Sequence, residues 1–224
     1  MTDTTRVSPS PDLPAFPSRD ALYRQALVLA AITVFYNLLE GAVSVWLGVR
    51  DETLSLFGFG VDSFVEVISG VGIWHMVHRI RKSGSGCVDS FEKTALRVTG
   101  TSFYLLAAGL FATAGVNLYR GDRPETTFWG IVVALVSIAS MWLLIRLKEK
   151  VGTALGSSAI LADAACTRTC LRLSVVLLGA SAGYELTGLG FLDAAGAAAI
   201  GFLSLREGRE AFVKAKGGTC SCRS

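Results

Sequence analysis

Residues 54–78 read Leu-Ser-Leu-Phe-Gly-Phe-Gly-Val-Asp-Ser-Phe-Val-Glu-Val-Ile-Ser-Gly-Val-Gly-Ile-Trp-His-Met-Val-His. A hydrocarbon layer about 30 Å thick is crossed by roughly 20 apolar residues rising about 1.5 Å each, and this stretch qualifies. It nevertheless holds two acids, Asp62 and Glu66, four positions apart. Residues so spaced share one helix face about 5–6 Å apart, and like charges that close destabilise each other unless a cation or protons neutralise them. The segment therefore predicts a spanning helix with an acidic pair inside the membrane.

Working outward, five further segments qualify as spans: Leu22–Val49, Phe91–Tyr119, Phe128–Leu147, Ser157–Ala182 and Phe191–Leu205. Hydrophobic residues make up 51% of the 224 and charged residues 17%, against roughly 25% charged in ordinary soluble domains, so most of the surface must face something other than water. The expected fold is all-α, a polytopic six-transmembrane-helix bundle over residues 21–212. It is flanked by a disordered cytoplasmic N-terminal tail, 1–20, and a short cytoplasmic tail, 213–224, carrying Cys220-Ser-Cys222. The first twenty residues hold four prolines and no apolar run of signal-peptide length, so no cleavage is expected.

Positive charge orients the chain. Sixteen basic residues fall in the two tails and in the second and fourth connections, among them Arg79, Arg81, Lys82, Arg146, Lys148 and Lys150; the remaining connections hold three, Arg50, Arg120 and Arg123. Cytoplasmic loops collect Lys and Arg, so both termini are expected in the cytoplasm, at a plasma or inner membrane. The net charge of +3 is spread over short loops, which excludes nucleic acid as a partner. The lipid bilayer is the partner in its place. Five cysteines form no disulfide framework.

Ionisable groups inside a bilayer are expensive and usually kept for pairing, transport or a cofactor. The first span carries Asn37 and Glu40 one turn apart, and the fifth carries Asp163, Cys166, Arg168, Cys170 and Arg172. Cys166 and Cys170 repeat the spacing of Asp62 and Glu66, so the two helices supply two half-clamps. Counted along the helices, Asp62 lies about 12 Å from the outer start of its span and Cys166 about 14 Å from the inner start of its own, so both pairs are expected near the midplane. Asp62, Glu66, Cys166 and Cys170 are thus the candidate metal ligands. Asn37, Glu40, Asp163 and Arg168 are candidates for support or proton coupling, with Arg168 and Arg172 as counter-ions to Asp163 or Glu40, or as gating residues. His75, His78 and the Cys220/Cys222 tail are weaker candidates for metal loading, the histidines serving equally well as interfacial anchors.

These residues resemble the cation diffusion facilitator transporters. The likeness rests on Asn37-Leu-Leu-Glu-Gly, on Gly-Phe-Gly-Val-Asp62-Ser-Phe-Val-Glu66, on Leu-Ala-Asp163-Ala-Ala-Cys166-Thr-Arg-Thr-Cys170, and on Leu-Asp193-Ala with Arg-Glu-Gly-Arg-Glu-Ala in the sixth span. The resemblance implies a fold of the cation-efflux type. It also implies a divalent cation, commonly zinc, bound tetrahedrally between the second and fifth helices and exported in exchange for protons. That family usually has a histidine and an aspartate where Cys166 and Cys170 stand, and a cytoplasmic metal-binding domain for which no segment is seen after the sixth span. The nearer likeness is to its short vesicular zinc efflux proteins.

The residues by themselves carry the same direction. Thiolate and carboxylate ligands suit Zn²⁺ or Cd²⁺ as the transported substrate, whereas Mg²⁺ and Mn²⁺ prefer oxygen-rich octahedra; no organic cofactor is implied. A free thiol with a reference pKa of about 8.5 holds its proton at neutral pH, so metal loading would expel protons and unloading would take them up. Four anionic ligands exceed a dication's charge by two, which Arg168 or a shared proton is expected to offset. The expectation is metal/proton antiport, with no enzymatic activity. A passive channel, a regulatory subunit and a membrane metalloenzyme are the alternatives. The Gly- and Ala-rich run Ala194–Gly201 permits close helix contact within one chain or across a homodimer.

Overall fold

The computed structural model describes residues 18–83, 90–121 and 123–217, and every element among them is a helix. The order is α1 (Arg19–Arg50), α2 (Leu54–Ser83), α3 (Ser90–Arg120), α4 (Phe128–Leu155), α5 (Ser158–Thr187) and α6 (Phe191–Gly217). Short connections make successive helices antiparallel. The closest packing is within three pairs, α1 with α2, α3 with α6, and α4 with α5. The Asp193 side chain, at the start of α6, reaches the start of α2, while Arg81 at the end of α2 pairs with Asp20 at the start of α1, 2.8 Å apart. The beginning of α1 and the end of α6 therefore lie at one end of the bundle, the termini end, with the 51–53 and 188–190 turns at the far end.

The burial pattern of α1 is inverted with respect to a water-soluble helix. Val28, Ile32, Phe35, Leu39, Val43 and Trp46 recur at helical spacing on the exposed side, Phe35 being 63% exposed. Ala26, Ala30, Thr33, Asn37, Glu40, Gly41 and Ser44 are buried. Outside water, small and polar residues make the helix contacts and apolar side chains face the solvent, which is lipid. Five helices, α1 to α5, contain stretches long and apolar enough to cross a membrane. The chain is thus a multi-pass helical membrane bundle. Among the described residues α6 does not meet that measure, its apolar stretch giving way to Arg206, Glu207, Arg209 and Glu210. Trp46 and Trp129 lie toward the far end and Trp74 and Trp142 toward the termini end, as interfacial aromatics do; Arg50 sits over Trp46 and Arg146 over Trp142, 5.7 and 5.2 Å from the ring centroids.

The helices outrun the apolar windows that announced them, because a helix continues past the membrane edge until something stops it. α4 runs to Leu155 instead of Leu147 and ends where Gly156 adopts a left-handed φ of 62°. α5 runs to Thr187 and is closed by Gly188 in the same way. At the chain ends α1 starts at Arg19, with the Ser18 hydroxyl accepting from the Ala21 amide at 3.3 Å, so Arg19 and Asp20 belong to the helix and not to a tail. α6 likewise absorbs residues 213–217. The remainder of both expected tails, with Cys220 and Cys222, and Cys87 lie outside the described residues.

The α1–α2 contact positions everything that follows. A Cβ on Gly48 would fall 2.5 Å from the Phe57 nitrogen, and one on Gly60 would fall 2.7 Å from the Val45 nitrogen. Backbone here touches backbone. A Gly48→Ala substitution is expected to cost about 1–3 kcal/mol through overpacking. Gly109, with nothing within 4 Å of its would-be Cβ, is expected to accept alanine without loss. Thermal unfolding of the two variants in detergent checks the pair, and equal behaviour would contradict the close contact.

Candidate functional site

The glycine contact between α1 and α2 brings two polar residues of α1 against two of α2. The Asn37 amide donates to Glu66 Oε2 at 3.1 Å, and the Ser63 hydroxyl donates to Glu40 Oε2 at 3.2 Å. Tyr36, one turn before Glu40 on α1, donates its hydroxyl to Glu40 Oε1 at 3.0 Å. Asn37 and Glu40 therefore hold α2 in register, and Asn37 keeps its Oδ1 buried without a hydrogen-bond partner.

From the other side, α5 presents Cys170. Its thiol donates to the Glu66 Oε2 atom that Asn37 also contacts. Met141 and Leu144 of α4 back the sulfur with apolar surface. The third wall is α6: the Ser204 hydroxyl donates to Asp62 Oδ1 at 3.1 Å, and the Thr169 hydroxyl, beside Cys170, donates to Glu207 Oε1 at 3.1 Å. Three hydrogen bonds thus close a ring around α2, α5 and α6, each helix belonging to a different closely packed pair. Apolar clusters flank the polar layer, one toward the far end around Leu56, Phe59 and Leu177 and one toward the termini end, between α1, α2, α4 and α5, around Leu22, Val77 and Ile160.

Of the four candidate ligands, Glu66 and Cys170 meet. Asp62 and Cys166 do not join them, and among the described residues no three His, Cys, Asp or Glu side chains gather closely enough to hold a metal ion as they stand. The reason is register. Because α2 and α5 are antiparallel, placing Glu66 level with Cys170 sends Asp62 about one turn toward the far end and Cys166 about one turn toward the termini end. A common sphere for all four would need Glu66 opposite Cys166. The expected single cluster is replaced by successive levels: Cys166, then Glu66 with Cys170, then Asp62.

Two charge assignments are also corrected. Asp163 is paired by Lys148 and not by Arg168 or Arg172: Lys148 Nζ lies 2.9 Å from Asp163 Oδ2 and donates to Thr167 Oγ1 at 3.0 Å. Lys148 is 1% exposed, so it is an interior residue and not the loop charge its sequence position suggested. Arg168 points outward to Glu149, which removes it as the compensating charge for the candidate ligands. His78 stacks on Trp74, ring centroids 5.5 Å apart, which fits an interfacial anchor. A cavity of about 380 Å³ opens between the α1–α2 turn and the α3–α4 connection, lined by Glu52 and Arg123 and by none of the candidate residues.

Ser204, Glu207, Thr169 and Lys148 were not among the sequence candidates. Glu207 had a usable signal: it lies three positions beyond Ser204, so an unbroken α6 puts both on one face. No protein-family model matches the chain, and no curated protein matches it.

The Lys148–Asp163 pair makes a stability prediction. Removing one partner of a buried ion pair strands the other charge and costs about 3–5 kcal/mol, whereas replacing both with apolar residues is close to neutral. Lys148→Met alone is therefore expected to lower the unfolding temperature strongly, and Lys148→Met with Asp163→Leu to recover most of it. Additive losses in the double variant would show that the ion pair is not the source.

Proposed function

We propose that the protein carries a thiophilic divalent cation, Zn²⁺ or Cd²⁺, across the membrane in exchange for protons, as a bundle of the cation-efflux type. The observation that carries the reading is the meeting of the Cys170 thiol and the Glu66 carboxylate between α2 and α5, in a polar layer flanked by apolar clusters. A thiolate and a carboxylate together carry two negative charges, which balance one dication without any arginine. Soft sulfur beside oxygen favours Zn²⁺ or Cd²⁺ over Mg²⁺.

The coupling follows from the hydrogen bond. The thiol proton bridges Cys170 to Glu66. A cation bound there needs thiolate, so the proton must leave on loading and return on release. The unpartnered Asn37 Oδ1 next to Glu66 offers the cation a neutral oxygen at no charge cost. Cys166 and Asp62, one turn to either side, act as successive ligands, the first toward the termini end and the second toward the far end. With the basic connections in the cytoplasm, the termini end is the cytoplasmic side, and the direction is export.

Proteoliposomes with a fluorescent zinc reporter and a pH reporter test this. The full chain is expected to move Zn²⁺ with opposing proton movement, and Glu66→Gln and Cys170→Ala are each expected to lower the rate at least about tenfold. Zinc movement indifferent to the pH gradient would leave a passive channel. Undiminished transport in both variants would remove the site, and metal binding without any flux would remove transport.

A further inference from the structure

We propose that the cavity between the α1–α2 turn and the α3–α4 connection binds one zwitterionic phospholipid headgroup of the phosphatidylethanolamine type, with the phosphate on Arg123 and the ammonium on Glu52. The inference stands on the membrane fold and is independent of the transport reading.

The two connections that wall the cavity are tied together. The Thr53 hydroxyl, in the α1–α2 turn, donates to the Thr126 carbonyl oxygen at 3.0 Å, and the Glu125 amide donates to the Asp51 carbonyl oxygen at 3.1 Å. The Tyr184 hydroxyl of α5 donates to the Pro124 carbonyl oxygen at 2.6 Å, which fixes the segment that carries Arg123. Between these walls the cavity measures about 380 Å³, inside the range of about 300–1,000 Å³ in which small ligands bind. Val49, Leu54 and Phe57 give it apolar surface, and Glu52, Arg123 and Asn117 give it polar groups.

Two observations point to a ligand with both signs of charge. First, Glu52 and Arg123 line one cavity, yet neither side chain makes an ion pair or hydrogen bond with the other or with any other described residue. Second, among the described residues Glu52 is the one non-glycine with a positive φ, 54°. Glycine takes that conformation at no steric cost, and a larger residue held there marks a functional constraint. A glycine would complete the turn as well; the glutamate adds a carboxylate at the cavity. The location selects a lipid over a soluble zwitterion. Trp46, one turn before Arg50, and Tyr119, two residues beyond Asn117, are exposed as interfacial aromatics are, and Val49 in the cavity wall is itself 63% exposed. The charges select the headgroup. A phosphate accepts two N–H groups from one guanidinium, and a primary ammonium brings three donors to a carboxylate. Choline has no N–H donor, and Phe57, the single aromatic side chain of the lining, makes no cage for it. A glycerol headgroup would leave Glu52 without a cation.

Native mass spectrometry of the full chain in detergent, titrated with dioleoyl lipids that differ only in headgroup, provides the test. Phosphatidylethanolamine is expected to bind as one copy, at least about tenfold more tightly than phosphatidylcholine or phosphatidylglycerol, as the loss of one charge-assisted hydrogen bond implies. Arg123→Gln and Glu52→Gly are each expected to bring the ethanolamine lipid down to the choline level. Glycine relieves the positive φ, so Glu52→Gly is also expected to unfold no earlier than the wild type, which separates lost binding from lost fold. Equal affinity for the three headgroups, or selectivity retained in either variant, overturns the site. Phosphoethanolamine without acyl chains that displaces the lipid at equal concentration identifies a soluble zwitterion as the ligand and overturns the lipid assignment.

Discussion

A carboxylate moved from water into hydrocarbon is costly by several kcal/mol unless donors surround it, and five acids of this bundle each draw a donor from another helix. Glu40 of α1 takes Ser63 of α2, and Glu66 of α2 takes Asn37 of α1 and Cys170 of α5. Asp62 of α2 takes Ser204 of α6, and Asp163 of α5 takes Lys148 of α4. Asp193 of α6 takes the Leu54 and Ser55 amides and the Ser55 hydroxyl at the start of α2. Lipid supplies no hydrophobic force to press the helices together, so these bonds and the glycine contacts decide which helix meets which. Specificity of packing and presence of charge are one fact.

The same constraint shapes the interior. Apolar clusters around Phe59 and around Val77 flank the polar layer, and the half-buried Glu66 carboxylate lies between them. Three closely packed helix pairs converge on this layer, and the Glu66–Cys170, Thr169–Glu207 and Ser204–Asp62 contacts are the seams between them. A site made of seams is disturbed whenever the pairs move, which is what the proposed carrier role would require of it.

Much of the architecture was legible in the chain because lipid imposes simple statistics. Length and apolarity marked α1 through α5, and the i, i+4 spacing placed Asp62 with Glu66 and Cys166 with Cys170 on single faces. What the periodicity of one helix cannot hold is its register against another. Counting from apolar boundaries put all four ligands at one depth, but α2 and α5 meet with Glu66 opposite Cys170, and the outer members of the two pairs diverge. Lys148 was hidden for a related reason. It lies just beyond the end of the apolar run, and only its packing against Asp163 reveals it as an interior residue. Glu207 was obscured because the sixth apolar stretch stops before it while the helix does not.

Asp193 ties α6 to the first turn of α2 by three hydrogen bonds, and the α1–α2 turn adjoins this point. Two shafts fastened at one end share a fulcrum, and displacement then grows with distance from it. Glu207 lies sixteen residues along α6 from Phe191, about 24 Å of helix, so a lean of about 10° swings it by roughly 4 Å. That lateral travel is comparable to the width of a bare ion with one ligand shell. A small rocking of α6 about its anchored foot is therefore enough to part Thr169 from Glu207 while the contact with α2 at the far end holds.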